Sequence, residues 1–214
     1  MKGIDFYKYN KIFGLIAGLF AFIVFTLTVE PTASYWDCAE YISTSAKLQI
    51  GHPPGAPLFQ MLGAIFSILA FDVSQIAYAV NMMSVFSSAM TIMFLFWSIS
   101  LIGKQLLKTS KFLNFNDAFK IFGASFLGSI SFTFTDSFWF NAVEAEVYAM
   151  ATLILSTLFW LGLKWIEDFE NERSEKWLVL ISFVVGLSFG VHFMGLLAIP
   201  SIGLIYYFKT ANNF

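Results

Sequence analysis

Long apolar runs constrain this chain more than any other feature. They occupy residues 12–29, 76–102, 121–140, 147–165 and 177–208 of 214. Crossing the hydrocarbon core takes about 20 apolar residues, and backbone polar groups inside lipid must be satisfied internally, which selects helices or closed barrels. Runs this long and without alternation select helices. Charged residues make up only 12% and apolar residues 58%. That is about half the charge a soluble domain uses to coat its surface, so most of this surface faces lipid. The single cysteine, Cys38, excludes an internal disulfide and a cysteine metal cage. No basic cluster points to nucleic acid. The class that follows is an all-α integral membrane protein, with residues 1–214 forming one polytopic membrane domain.

Length and charge set the number of crossings. The run at 177–208 is too long for one span at about 1.5 Å per residue. It is expected to break near residues 192–195 into two short helices, the second holding Pro200. The run at 57–71 ends at Asp72, and runs of that length are commonly interfacial or re-entrant. If it crossed, Lys104, Lys108, Lys111 and Lys120 would land outside, against the positive-inside rule. If it lies in the interface, every Lys and Arg except Lys47 falls on the cytoplasmic side, together with an N-terminus bearing Lys2, Lys8 and Lys11. About six transmembrane helices result, with interfacial helices in a first exoplasmic loop at residues 30–72. The start looks like a signal peptide, and Thr32-Ala33-Ser34 offers small residues for cleavage. Its apolar run is long for one, so an uncleaved first helix is expected.

This topology gathers Glu30, Asp37, Glu40, Asp72, Asp136, Glu144, Glu146, His52 and His192 at the outer face. Selection against positive charge accounts for Glu30 and Asp72. It accounts less well for ionisable groups set among aromatics and Pro-Gly bends, a costly placement that favours function. Trp36-Asp37-Cys38-Ala39-Glu40-Tyr41 leads into a predicted helix over 35–48, in which Asp37 shares a face with Glu40 and Tyr41 and Trp36 anchors at headgroup level. Neighbouring carboxylates can divide labour, one ionised as base and one orienting it or held protonated. An amphipathic interfacial helix with its polar residues up is the plain alternative. Gly51-His52-Pro53-Pro54-Gly55-Ala56-Pro57 cannot continue as helix and is expected to hold His52 at a set position relative to Asp37. A simple loop between two interfacial helices would read the same way. Glu144 and Tyr148 share a face if a helix starts by Asn141, which ranks Glu144 above Glu146. Asp136 is an interfacial acid. His192, beside Gly190 and Gly195, reads either as a site residue or as a hydrogen-bonded packing residue.

These segments carry a resemblance. The order of first span, W-D-x-x-E-Y, H-P-P-G-x-P-L, interfacial helix and long second span resembles the glycosyltransferase C (GT-C) superfamily. Protein O-mannosyltransferases there carry an Asp-Glu pair after the first span and a His-Pro-Pro-Leu-Gly stretch before the second. The chain also resembles the transmembrane protein 260-like family (domain of unknown function 2723), through Phe138-Trp139-Phe140, Glu144-Ala145-Glu146-Val147-Tyr148 and Gly190-Val191-His192 as well. Cys38 stands where the second acid of the pair would be, so Glu40 is taken as the partner of Asp37.

The resemblance implies a GT-C-like core and a membrane glycosyltransferase. It would move a sugar, mannose by analogy, from a polyprenyl-phosphate donor to an exoplasmic acceptor such as a protein Ser/Thr hydroxyl, with inversion. Asp37 would be the catalytic base, and Glu40 would orient it or the acceptor. Lys47, His52 and His192 are what the outer face offers the leaving phosphate. Trp36, Asp136, Glu144 and Tyr148 complete the expected substrate-binding set. The implied partners are the lipid-linked donor, a protein or glycan acceptor and membrane lipids. No metal ligand is assigned, although the shortage of positive charge leaves room for a divalent metal. The implied location is a bacterial inner membrane with the site facing the periplasm. Family members carry seven or more spans, so a chain of about six ending at Phe214 is expected to be part of a longer product. A transporter is the main rival and a non-catalytic membrane assembly subunit the next. Against the transporter, the acids sit at one edge rather than at the midplane, and no inverted repeat is visible.

Overall fold

The computed structural model describes residues 3–211, so residues 1–2, Lys2 among them, and 212–214 lie outside the described part. Helix α1 (Phe6–Leu27) starts at Asp5, whose carboxylate accepts from the Lys8 amide, and buries Asn10, Gly14, Ala17, Gly18 and Ala21 along one face. Small residues let helix backbones approach closely in lipid. Here a Cβ at Gly14 would collide with the Trp97 indole of α4. The other face of α1, with Leu15, Leu19, Ile23 and Leu27, is exposed, as a lipid-facing stripe should be. Helix α4 (Ile76–Leu106) is the hub, packing against α1, α5 (Phe115–Thr133) and α7 (Val147–Glu167). Its apolar residues surround it evenly, the pattern of a helix buried on all sides. Buried Ser87 and Thr91 return hydroxyl hydrogen bonds to carbonyls one turn back, at 2.8 and 3.0 Å.

Between α1 and α4 the chain forms α2 (Cys38–Lys47) and α3 (Pro57–Ser67). The 11 residues of α3 reach only about 16 Å, too short to cross. Pro57 pre-sets its first turn. The Leu58 and Phe59 amides both donate to the Gly190 carbonyl, at 2.7 and 3.3 Å. That one carbonyl pins the start of α3 to the end of α8 (Glu175–Ser188).

Among the described residues the fold is all-α apart from a two-residue strand pair, and four or five helices, against the expected six, are of spanning length and apolarity. Four helices among the described residues are long and apolar enough to cross a membrane: Phe6–Leu27, Val73–Leu106, Val147–Glu167 and Phe193–Ala211. A fifth is counted only if α5 and α6 (Asp136–Ala142), bent by 69°, form one span. The run at 121–140 is therefore not one helix. Thr135 turns extended and a new helix begins at Asp136, whose negative charge suits a helix N-terminus. The run at 177–208 does break, at residues 189–192. Its first part, α8, has only 14 residues, short of a span. A 3-10 turn at Phe193–Leu197 then leads into α9 (Ala198–Ala211).

The end carrying Lys104, Lys111 and Lys164 is tightly tied. The Tyr7 hydroxyl and Lys104 Nζ each donate to Glu167 Oε1 at 2.8 Å, and Lys164 Nζ donates to Oε2 at 2.6 Å. This joins α1, α4 and α7. Beside it, β1 (Ile4–Asp5) pairs antiparallel with β2 (Phe112–Leu113), and Lys111 reaches Asp5 at 3.5 Å.

Candidate active site

The opposite end is built by four connections: between α1 and α2, α2 and α3, α6 and α7, and α8 and the 3-10 turn before α9. Their backbones are laced together. Asn81, fully buried on α4, donates to the Glu30 and Thr32 carbonyls at 2.7 and 2.8 Å, and the Glu30 amide donates to the Val143 carbonyl at 3.0 Å. Trp139 Nε1 donates to the Thr28 hydroxyl at 3.0 Å. Residues 30–37 and 143–146 are thereby held side by side.

Helix α2 begins later than the predicted 35–48. Trp36 adopts a left-handed φ of 59° and is 85% exposed, so Asp37 becomes the N-cap residue. Its carboxylate makes no cap bond and is free to face outward. Glu40, one turn on, accepts from the His52 amide at 2.6 Å and faces His52 Nδ1 at 3.1 Å. His52 Nε2 lies 3.7 Å from Asp37 Oδ2. The histidine thus sits between the two acids, and the Pro-Gly bend delivers it there. Gly55 supplies the left-handed turn at φ 80°. Gly51 allows close approach, since a Cβ there would press on Gln60 Nε2 and Glu40 Oε1. The His52 amide, and then its ring, hold the Glu40 carboxyl below the usual carboxylate range.

Asp37, Tyr41, His52, Glu146, Tyr148 and His192 line one cavity of about 220 Å³. A neighbouring cleft of about 390 Å³ is lined by Trp36, Asp37, Asn141, Glu144, Glu146 and Tyr148. Asp37, Glu146 and Tyr148 border both. The His192 and Tyr148 rings stand 5.3 Å apart. His192 Nδ1 accepts from the Met194 amide at 3.1 Å, so its neutral ring carries the proton on Nε2.

The ranking of Glu144 above Glu146 does not hold. It required a helix from Asn141, whereas α7 begins at Val147 and Glu146 is its N-cap. From that position Glu146 lines both spaces. It is 6% exposed and Glu144 2%, and Glu146 Oε1 and Glu144 Oε2 have no hydrogen-bond partner. Burial, helped by the Asp37 and Glu144 charges, pushes the Glu146 carboxyl up to about 7. Burial raises Glu144 as well, pushes the Tyr41 hydroxyl up to about 12 and raises the Cys38 thiol, leaving that sulfur inert. The bare E-x-E step ahead of an apolar run was the available signal for Glu146. Two other expected residues are not brought in. Lys47 lies in the last turn of α2 and Asp136 in the first turn of α6, both exposed, and neither lines the two spaces.

Asp37, Glu40 and His52 bring ligand atoms within 4.8 Å of one another, a carboxylate and imidazole set that divalent metals accept. The same arrangement suits proton transfer. The Asp37 carboxylate is accessible, and His52 is held against it by Glu40.

A family model described as "Protein O-mannosyl-transferase TMEM260 N-terminal domain" matches residues 37–214. The chain is 27% identical over 190 residues to "Protein O-mannosyl-transferase tmem260" of Dictyostelium discoideum, covering 83% of this chain and 21% of that protein. It is 26% identical over 168 residues to "Protein O-mannosyl-transferase TMEM260" of Mus musculus, covering 77% of this chain and 21% of that protein. The chain spans about a fifth of the length of these curated relatives. No solved structure matches.

Proposed function

The chain belongs to the Protein O-mannosyl-transferase TMEM260 N-terminal domain family, and from that premise we propose that it forms the catalytic membrane part of a GT-C-type protein O-mannosyltransferase. The donor is a mannosyl polyprenyl phosphate and the acceptor a protein Ser/Thr hydroxyl. The observation that carries this reading is Asp37. Its carboxylate has no cap bond, borders both spaces, and is backed by His52 and Glu40.

In the reaction, Asp37 takes the proton from the acceptor hydroxyl as the hydroxyl oxygen bonds to the sugar C1. The bond from C1 to the phosphate oxygen breaks, the electron pair leaves with polyprenyl phosphate, and the configuration inverts. Glu40 acts through His52, holding the ring against Asp37, and Nε2–H of His192 is a donor for sugar or phosphate oxygens. Holding both substrates in line in a small space supplies much of the acceleration, since positioning contributes up to about 7–11 kcal/mol. The positive-inside rule puts the Lys104–Lys164 end in the cytoplasm and the site on the exoplasmic face. In a bacterial inner membrane, that face is the periplasm.

The test uses membranes containing the protein and, separately, its Asp37→Asn variant, given radiolabelled mannosyl polyprenyl phosphate and a Ser/Thr-rich acceptor. Label reaching protein with the parent and not with the variant upholds the reading. Transfer that persists undiminished in the variant removes Asp37 as the base.

A further inference from the structure

His52 presents an unusual pairing of acceptors. Its Nδ1 faces Glu40 Oε2 at 3.1 Å, which places the ring proton on Nδ1 and leaves Nε2 as a lone pair in the neutral ring. That lone pair faces the Asp37 Oδ2 oxygen across 3.7 Å. A positive charge between the two, either a bound cation or a second ring proton, relieves that opposition. A carboxylate fixing the far nitrogen of an imidazole is also the usual outer support of a metal-ligating histidine. A second observation comes from another part of the chain. Glu146 is 6% exposed, has an unpartnered Oε1, and lines the same 220 Å³ cavity as Asp37 and His52. Among the described residues, no Lys or Arg lines that cavity or the neighbouring cleft. A site with this much carboxylate and no fixed cation repels a phosphate-bearing donor.

We propose that Asp37 Oδ2 and His52 Nε2 ligate a divalent cation, with Glu40 orienting the imidazole and Glu146 supplying a further oxygen, directly or through water. Carboxylate oxygens with one imidazole suit Mn²⁺ and its relatives. The cation's task, to meet the donor's phosphate oxygens while the other Asp37 oxygen serves as base, rests on the transferase reading above. The site itself rests on the geometry alone.

The experiment uses the purified protein in lipid nanodiscs, stripped with chelator and titrated with Mn²⁺ alone. Electron paramagnetic resonance counts the bound ion, and spin-echo modulation detects a coordinated imidazole nitrogen in the unaltered protein. One Mn²⁺ per chain with nitrogen modulation is expected. His52→Ala should abolish the modulation, and Asp37→Asn and Glu146→Gln should each weaken binding about tenfold or more. Glu40→Gln should cost about 10–100-fold, while Asp72→Asn, at an exposed turn, should change nothing. Failure to bind stoichiometric Mn²⁺, or bound Mn²⁺ without nitrogen coupling, overturns the proposal, because surface carboxylates or a protonated His52 then explain the cluster. Sugar transfer that persists in chelator with no Mn²⁺ bound also overturns it and leaves the transferase reading intact. Mn²⁺ bound with nitrogen coupling but no mannosyl transfer upholds the site and sinks the donor assignment instead.

Discussion

Glu146 and Glu167 stand at opposite ends of α7, and both are nearly buried. Glu167 accepts from Tyr7, Lys104 and Lys164, whereas one oxygen of Glu146 has no partner. The helix dipole argues for the reverse, since it favours an acid at the N-terminus and opposes one at the C-terminus. Partners and burial outweigh it at both ends. At the basic end, charge is cancelled and the helices are fastened. At the acidic end, a buried carboxyl oxygen is left without a partner beside a cavity, a placement that packing alone does not call for.

The contrast can be broken most sharply at Asp37. Replacing it with Asn should lower transfer by about 10²–10⁴-fold, the usual worth of a positioned acid or base, and leave the thermal unfolding temperature in place. Glu167→Ala should do the opposite. It strands two partly buried ammonium groups and should destabilise the fold by about 3–5 kcal/mol, read as denaturant-induced unfolding in mild detergent. If Glu167→Ala unfolds no more easily than the parent, the basic end is not the fastening it is taken for here. A smaller effect of opposite sign is expected at Glu146. With divalent ions chelated at pH 8, Glu146→Gln should stabilise by about 1 kcal/mol, because it removes a buried ionised group short of partners.

The pH dependence sharpens the same point. The Glu146 carboxyl is raised from 4.5 to about 7 in the fold, so the folded chain keeps a proton that the unfolded chain gives up. Stability from this group is therefore full below about pH 4.5, falls as pH rises to about 7, and is level above that. Comparing unfolding curves of the parent and Glu146→Gln across that window isolates the slope. A difference that grows with rising pH is expected, and one that shrinks would reverse the assigned direction.

Much of this was legible from the residues. The class followed from the apolar runs and the break near residue 192 from the length of its run, and the 57–71 segment, expected from length and charge not to cross, forms an 11-residue helix below spanning length. The Pro-Gly bend predicts a fixed position for His52 relative to Asp37, and that position has its Nε2 3.7 Å from Asp37 Oδ2. What failed depended on contacts. The bend at residues 134–135 lies inside a run whose apolar character hides a Thr-Asp helix start. The late start of α2 turns on a left-handed Trp36, a conformation such a residue seldom adopts, held within loops that Asn81 and Val143 tether. The Glu144 and Glu146 ranking failed by a few residues of helix boundary, where sequence patterns are weakest. His192 and His52, far apart in the chain, share a cavity through a tertiary contact that no periodicity encodes.

That contact is the Gly190 carbonyl, which receives both leading amides of α3. It sits at the end of α8, a 14-residue helix of about 21 Å, shorter than a hydrocarbon layer about 30 Å thick. Such a mismatch makes a helix responsive to the thickness of its surroundings. Any movement of α8 would carry Gly190, and with it the start of α3 that ends the strap holding His52. Bilayer thickness is therefore expected to shift the His52 strap without altering a residue of it, which nanodiscs of different acyl-chain length would read.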